Sequence, residues 1–268
     1  MAAKKDSVAY TIIVALVLCV VCSVVVSAAA VVLKPVQTVN KLVERKSNIL
    51  AAAGITVAKG ENINEVFEQK VTSKVVDLQT GKFTDAVNPA TYDQRTASKD
   101  PDMSIQLSAD EDIASIKSIA KYATVYTVND DSGKMKAIVL PVKGYGLWST
   151  LYGFVALQGD LNTVLGMGFY EQAETPGLGG EVDNPAWKAL WPGKKIYDQD
   201  ALSANELPQP KIHLIKGKVD KNAPNAAHEV DGLSGATLTS NGVTHLMQFW
   251  FGKNGFGPFL ENLRAGEA

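Results

Sequence analysis

From Val8 to Leu33 the chain runs for 26 residues without a charged side chain, mostly Val, Ala, Leu and Ile. As a helix rising about 1.5 Å per residue this stretch is about 39 Å long, more than the roughly 30 Å of a bilayer's hydrocarbon core. A cleaved signal peptide ending at Ala28-Ala29-Ala30 is the rival reading. Its apolar region should span only about 7–15 residues, and here the run continues past those alanines. The expectation is therefore an N-terminal transmembrane anchor over residues 1–34. Cys19 and Cys22 sit inside it at i and i+3, where small packing residues are the plainer reading than a redox pair. Leu18 and Val21 precede them, which fits no lipoprotein cleavage box. The span holds no acidic residue, so it is not expected to conduct a cation. Lys4 and Lys5 flank one end and Lys34, Lys41, Arg45 and Lys46 the other, so the positive-inside rule does not fix the orientation.

Composition narrows the rest. The 268 residues carry 26 Lys+Arg against 28 Asp+Glu, a net charge of -2, with 46% hydrophobic residues. That excludes a disordered chain and argues against a nucleic-acid binder. Both cysteines lie in the apolar stretch, so the remainder has no disulfide framework, cysteine zinc site or thiol nucleophile.

After the anchor the pattern reads as one mixed α+β domain, with residues 35–120 as a juxtamembrane helix plus the N-terminal part and 121–268 as the ligand-binding domain. Pro35 is expected to end or bend the anchor. Val39, Leu42, Val43, Ile49 and Leu50 then keep helical spacing up to Gly54. Residues 71–85 read as short extended pieces, 88–108 as loop, and Ser108–Asp112 as the opening of a short helix. Thr124–Thr127 and Met135–Val142 flank a turn over 129–133, and Leu151–Leu157 and Val164–Phe169 flank Gly159–Asn162; both read as hairpins. Asn184-Pro185 starts a short helix through Leu190. Residues 211–219 look extended, and Val243, Leu246, Met247, Trp250 and Phe251 mark an amphipathic helix ending near Gly252 and Gly255.

The catalytic inventory is thin. His213, His228 and His245 share no metal-ligand spacing, and no nucleophile elbow, P-loop or dinucleotide fingerprint is present. Neither catalytic residues nor a metal are expected. Two stretches remain. Gly144–Thr150 and Glu174-Thr-Pro-Gly-Leu-Gly-Gly180 offer backbone that can approach a flat ligand or an anion, or simply tight turns. Asp231-Gly-Leu-Ser-Gly-Ala-Thr237 leads into the C-terminal helix, whose first amides suit a phosphate. An ordinary N-cap by Ser234, Thr239 or Ser240 uses the same amides.

Asp231–Thr237 resembles, without departure, the D-x-x-[ST]-G-A-T flavinylation motif of FMN-binding domains. In that family a flavin transferase takes FMN from FAD and esterifies its phosphate to the last threonine, here Thr237. The resemblance puts Asp231, Ser234, Gly235 and Ala236 around the phosphate, and Trp148, Glu174, Thr175, Gly177, Leu178 and Gly179 along the ring or ribityl chain. Lys216 in Leu214–Gly217 resembles a family lysine near the flavin, where a cation favours a reduced anionic ring; a solvated strand lysine is the plain alternative. The exit Leu33–Gln37, the segment Asn40–Leu50 and the run Gly146–Gly153 extend the likeness to the C-subunit family of Na+-translocating NADH:quinone oxidoreductases. This implies covalent FMN, electron transfer, the other subunits of that complex as partners, and a flavin domain outside the bacterial cytoplasmic membrane. The G subunit of Rnf complexes shares the domain but is not expected to carry the exit segment or the tryptophan run. A non-redox, anchored sensor of a phosphorylated ligand is the alternative from another class.

Overall fold

A computed structural model describes residues 7–130, 133–203 and 207–268. Lys4, Lys5 and the expected turn residues Asp131 and Ser132 lie outside the described residues. The chain divides into two units, residues 1–45 and 46–268.

The first unit is helical. Helix α1 (Val8–Ala52) is 45 residues long and begins here, with an 18-residue window of mean hydropathy 3.0 and none of that window buried. Pro35 lies inside it and neither ends it nor separates a second helix. Pro35 removes one N–H donor from the ladder, and the turns on either side continue regardless; membrane-type helices tolerate such a loss.

In the second unit the last turns of α1 bring in Ile49, Leu50 and Ala52, all buried. Helix α2 (Ile63–Lys70) follows, its first turn capped by the Asn62 side chain accepting from Asn64 N–H. The chain then forms β1 (Val71–Asp77) and β2 (Lys82–Phe83), short α3 (Gln94–Ala97), and the small antiparallel pair β3 (Ser104–Gln106) and β4 (Ser118–Ala120). The long strands β5 (Tyr122–Asn129), β6 (Met135–Tyr145), β7 (Thr150–Gln158) and β8 (Val164–Glu171) are the expected hairpins. Together they form a six-stranded sheet of order β2-β1-β5-β6-β7-β8, antiparallel throughout. Strands from both sides of residue 120 therefore share one sheet.

Alternation along the central strands supplies two cores. In β6, Ile138, Leu140 and Val142 face one side and Ala137 and Val139 the other. Period-two alternation sends neighbours to opposite faces, and with both faces covered the strand reads as a continuous apolar run. The larger core lies under α5 (Thr237–Phe251) and α6 (Gly257–Ala265); the smaller one packs Ile49, Leu50 and Phe67 against Tyr126, Val139 and Phe154. Helix α4 (Pro185–Lys188) has Asn184 as its cap. Strands β9 (His213–Ile215) and β10 (Glu229–Asp231) form a short parallel pair, so only three residues of 211–219 are strand.

No helix opens at Ser108. The Asp112 carboxylate instead accepts from the Ile116 and Lys117 N–H groups, and Ser115 and Lys117 adopt positive φ. Such side-chain-to-backbone bonds compete with a helix. Helix α6 was not expected; Gly255, Gly257 and Pro258 mask a set at helical spacing, Phe256, Phe259, Leu260 and Leu263, that closes over Phe83, with the Phe83 and Phe259 ring centroids 5.1 Å apart.

Candidate flavin site

Three segments meet at one end of the second unit: the turn between β6 and β7 (146–149), the turn after β8 (174–180), and the 232–236 turn that starts α5. Their meeting point is the Glu174 carboxylate. It is 5% exposed. Its Oε1 accepts from the N–H groups of Leu147, Trp148 and Ser149 at 3.0–3.1 Å and from Ser149 Oγ at 3.2 Å; Oε2 accepts from Thr239 Oγ1 at 2.8 Å. Burial pushes this carboxyl upward, but the bonds from Trp148 N–H, Thr239, Leu147 and Ser149 outweigh it and hold the group below the usual range. Two glycines make the approach possible. A Cβ on Gly146 would lie 2.6 Å from Glu174 Oε1, and one on Gly179 would lie 2.6 Å from Thr239 Oγ1 and 2.7 Å from Glu174 Oε2.

Thr237 is the first residue of α5 and is exposed. The helix starts at buried Ala236 with no side-chain cap. The alternative weighed from the sequence, an N-cap by Ser234, Thr239 or Ser240, does not occur, and the two buried hydroxyls among them are engaged elsewhere. Thr239 donates to Glu174; Ser240 Oγ donates to Ala236 O and accepts from Leu233 N–H. Ser234 and Gly235 are exposed, and Gly235 has φ +71°, a conformation that favours glycine. A Cβ on Gly235 would lie 3.1 Å from Leu178 Cδ2, which brings the 174–180 turn beside the threonine loop.

The apolar surface is concentrated here. Among the described residues of the second unit, the exposed large hydrophobic side chains are Ile113, Tyr145, Leu147, Trp148, Leu178 and Leu238. Trp148 is 67% exposed, and Tyr145 N–H donates to Ala114 O, next to Ile113. Exposed apolar side chains gathered at a loop cluster are the kind of surface that a ligand or partner covers. Thr175 and Gly177 are exposed, with Thr175 O accepting from Leu178 and Gly180 N–H to close the turn.

Asp231 and Lys216 have neighbours of their own in the protein. Asp231 Oδ1 accepts from Val219 N–H and its carbonyl from Trp187 Nε1, so it fastens the loop from behind. Lys216 is exposed, and its backbone passes beside Gly232, at the other end of the turn from Thr237. The histidines are structural or surface residues. His228 lies 3.0 Å from Asp198, His213 meets Lys211 O, and His245 is exposed; no group suited to a metal occurs among the described residues.

The family model "FMN-binding domain" matches residues 146–252. The C subunit of the Na(+)-translocating NADH-quinone reductase of Pseudomonas aeruginosa is 54% identical over 99% of this chain and 100% of its own length. The chain belongs to the C-subunit family. A Vibrio alginolyticus member is 47% identical over 100% of this chain and 99% of its own. The crystal structure of Shewanella oneidensis NqrC superposes with a TM-score of 0.76 at 38% identity, covering 85% of this chain and 99% of that one. The crystal structure of the Parabacteroides distasonis member, 24% identical with a TM-score of 0.62, covers 85% of this chain and 96% of its own and shares the fold. Full-length agreement with these relatives decides between the two flavin families weighed from the sequence. With that membership, the apolar α1 is read as the membrane anchor.

Ser149 and Gly146 have no individual role in the site as read from the sequence, and Thr239 only that of a cap. The signal for Thr239 was present only in part: a second hydroxyl two residues past the motif looks like a cap until Glu174 is seen against it.

Proposed function

We propose that this chain is a membrane-anchored, electron-carrying subunit of a Na+-translocating NADH:quinone reductase, with FMN esterified through its phosphate to Thr237. One observation carries the reading: an exposed threonine hydroxyl starts an uncapped helix, beside exposed Trp148 and Leu178, in a chain of the C-subunit family.

The residues present fit the group. The first amides of α5 and the positive end of its dipole favour a phosphate. Ser234 and Gly235 leave room around it, while Trp148 and Leu178 offer apolar surface to a flat ring. FMN supplies reversible one- or two-electron transfer, and the protein supplies position and electrostatics. Attachment forms a P–O bond between the flavin phosphate and Thr237 Oγ. If FAD is the donor, its pyrophosphate bond breaks, AMP leaves, and the hydroxyl proton is released. A flavin transferase outside the cytoplasmic membrane performs this step, which puts the second unit on the periplasmic side of a single-pass anchor. Covalent attachment there keeps the cofactor from diffusing away. Thr239 is a poor acceptor, being 1% exposed and bonded to Glu174.

Intact mass of the purified chain tests this. The mass should exceed that of the polypeptide by one FMN less one water, and the denatured band should fluoresce under ultraviolet light. Thr237→Ala should abolish the increment and Thr239→Val should keep it. A flavin retained on Thr237→Ala refutes the acceptor, and a dark wild-type band favours the reversible phospholigand sensor.

A further inference from the structure

The geometry points to Glu174 as a positioning residue of the flavin site: its buried carboxylate ties the Trp148 loop to the first turn of α5, and so fixes the ring-side residue relative to the attachment point. This rests on the reading of FMN at Thr237.

The family resemblance sets Glu174 along the flavin itself. The structure leaves it little room for that role, since both oxygens are taken by protein donors and the side chain is buried. The loop it holds needs such a tie. Leu147 and Trp148 are exposed, so no core packing orders their side chains. Three successive N–H groups of 147–149 instead converge on one oxygen. Hydrogen bonds to an ionised acceptor are roughly twice as strong as neutral ones. Among the described residues Glu174 is in no ion pair, so its charge is stabilised by these amides and hydroxyls alone. The second oxygen reaches Thr239, two residues past Thr237 on α5. One side chain thus couples a β-hairpin turn to a helix start more than 60 residues further along the chain.

Gln is a graded replacement. Its carbonyl can take the place of Oε1 and keep the three amides, while its NH2 can donate to Thr239; what is lost is the charge and the second contact of Leu147 N–H, at 3.2 Å to Oε2. Ala removes the tie altogether.

The test uses the full-length chain, purified with its flavin. Amide hydrogen exchange is measured at 147–149, with the β7 amide of Val155 as a report on the fold. Glu174→Ala should accelerate exchange at 147–149 by about tenfold or more, the factor expected for losing one net hydrogen bond's worth of protection, with Val155 unchanged. Glu174→Gln should fall between wild type and Ala. In the flavinylated fraction, an indole held on the ring quenches flavin emission, so Glu174→Ala should brighten it towards Trp148→Phe. Wild-type exchange rates in Glu174→Ala overturn the proposal. Should that variant fail to fold, unchanged rates in Glu174→Gln overturn it as well. Equal emission from wild type and Trp148→Phe would count instead against the flavin reading, and the exchange rates would still decide whether Glu174 holds the loop.

Discussion

Removing the anchor should give a stable domain only if the cut spares the last turns of α1. Ile49 and Leu50 are 1% and 0% exposed, and with Ala52 and Ala53 they fill the smaller core against Phe67, Tyr126 and Phe154. Burying an Ile or Leu side chain contributes about 1.5–3 kcal/mol each, and the alanines add somewhat less. A deletion of 1–55 should therefore cost about 4–7 kcal/mol relative to a deletion of 1–45, which compares with a whole-domain stability of about 5–15 kcal/mol. With a urea slope of about 2–3 kcal/mol per molar, the midpoint should fall by about 2 M. The assay is urea unfolding of both truncations followed by tryptophan fluorescence. A deletion of 1–34 should also fold, but it retains Val36, Val39 and Leu42, which are 57%, 59% and 56% exposed, and should self-associate more than the 1–45 deletion. Coincident urea midpoints for the 1–45 and 1–55 deletions would refute the reasoning, because the α1 residues would then contribute nothing to the core they occupy.

Other expectations follow from the site. Gly179→Ala puts a methyl 2.6 Å from Thr239 Oγ1 and should destabilise by about 1–3 kcal/mol, as overpacking does, read as a lower thermal midpoint with a matching loss of flavin per chain. Glu174 has a folded pKa below its ordinary 4.5, so its stabilising contribution is full above that value and disappears as pH falls through the folded one. The stability difference between wild type and Glu174→Gln should accordingly shrink below about pH 4.5 in acid titrations, while staying constant from about pH 6 to 8. Lys216 is exposed. Screened by water, an exposed cation is worth at most about 1 kcal/mol even to a charge about 4 Å away, so Lys216→Gln should lower the flavin midpoint potential by no more than about 40 mV in a potentiometric titration. A shift of about 100 mV would show a cation much less screened by water.

Much of the fold was legible because its signals are local. The two hairpins announce themselves by runs of β-formers broken by turn residues, and α5 by spacing alone. The motif ending in Thr237 was equally plain, since its small residues and hydroxyls lie together in the chain. What escaped was decided at a distance. Pro35 looks like a stop in any short window, yet 27 residues of helix precede it and 17 follow. Ser240 and Thr239 look like caps, but partners at Leu233, Ala236 and Glu174 claim their oxygens. The tie that Glu174 makes was equally hidden, because a sequence does not show three amides from residues 147–149 converging on one carboxylate.

The run of amides at 147–149 is the kind of concave backbone that collects sulfate, phosphate or a stray carboxylate from solution. Here the polypeptide has supplied its own anion. On the proposed attachment at Thr237, a flavin phosphate then has its free backbone amides at the uncapped start of α5, and the tryptophan side is left to the ring. The difference between the two ends is thus built into the fold itself.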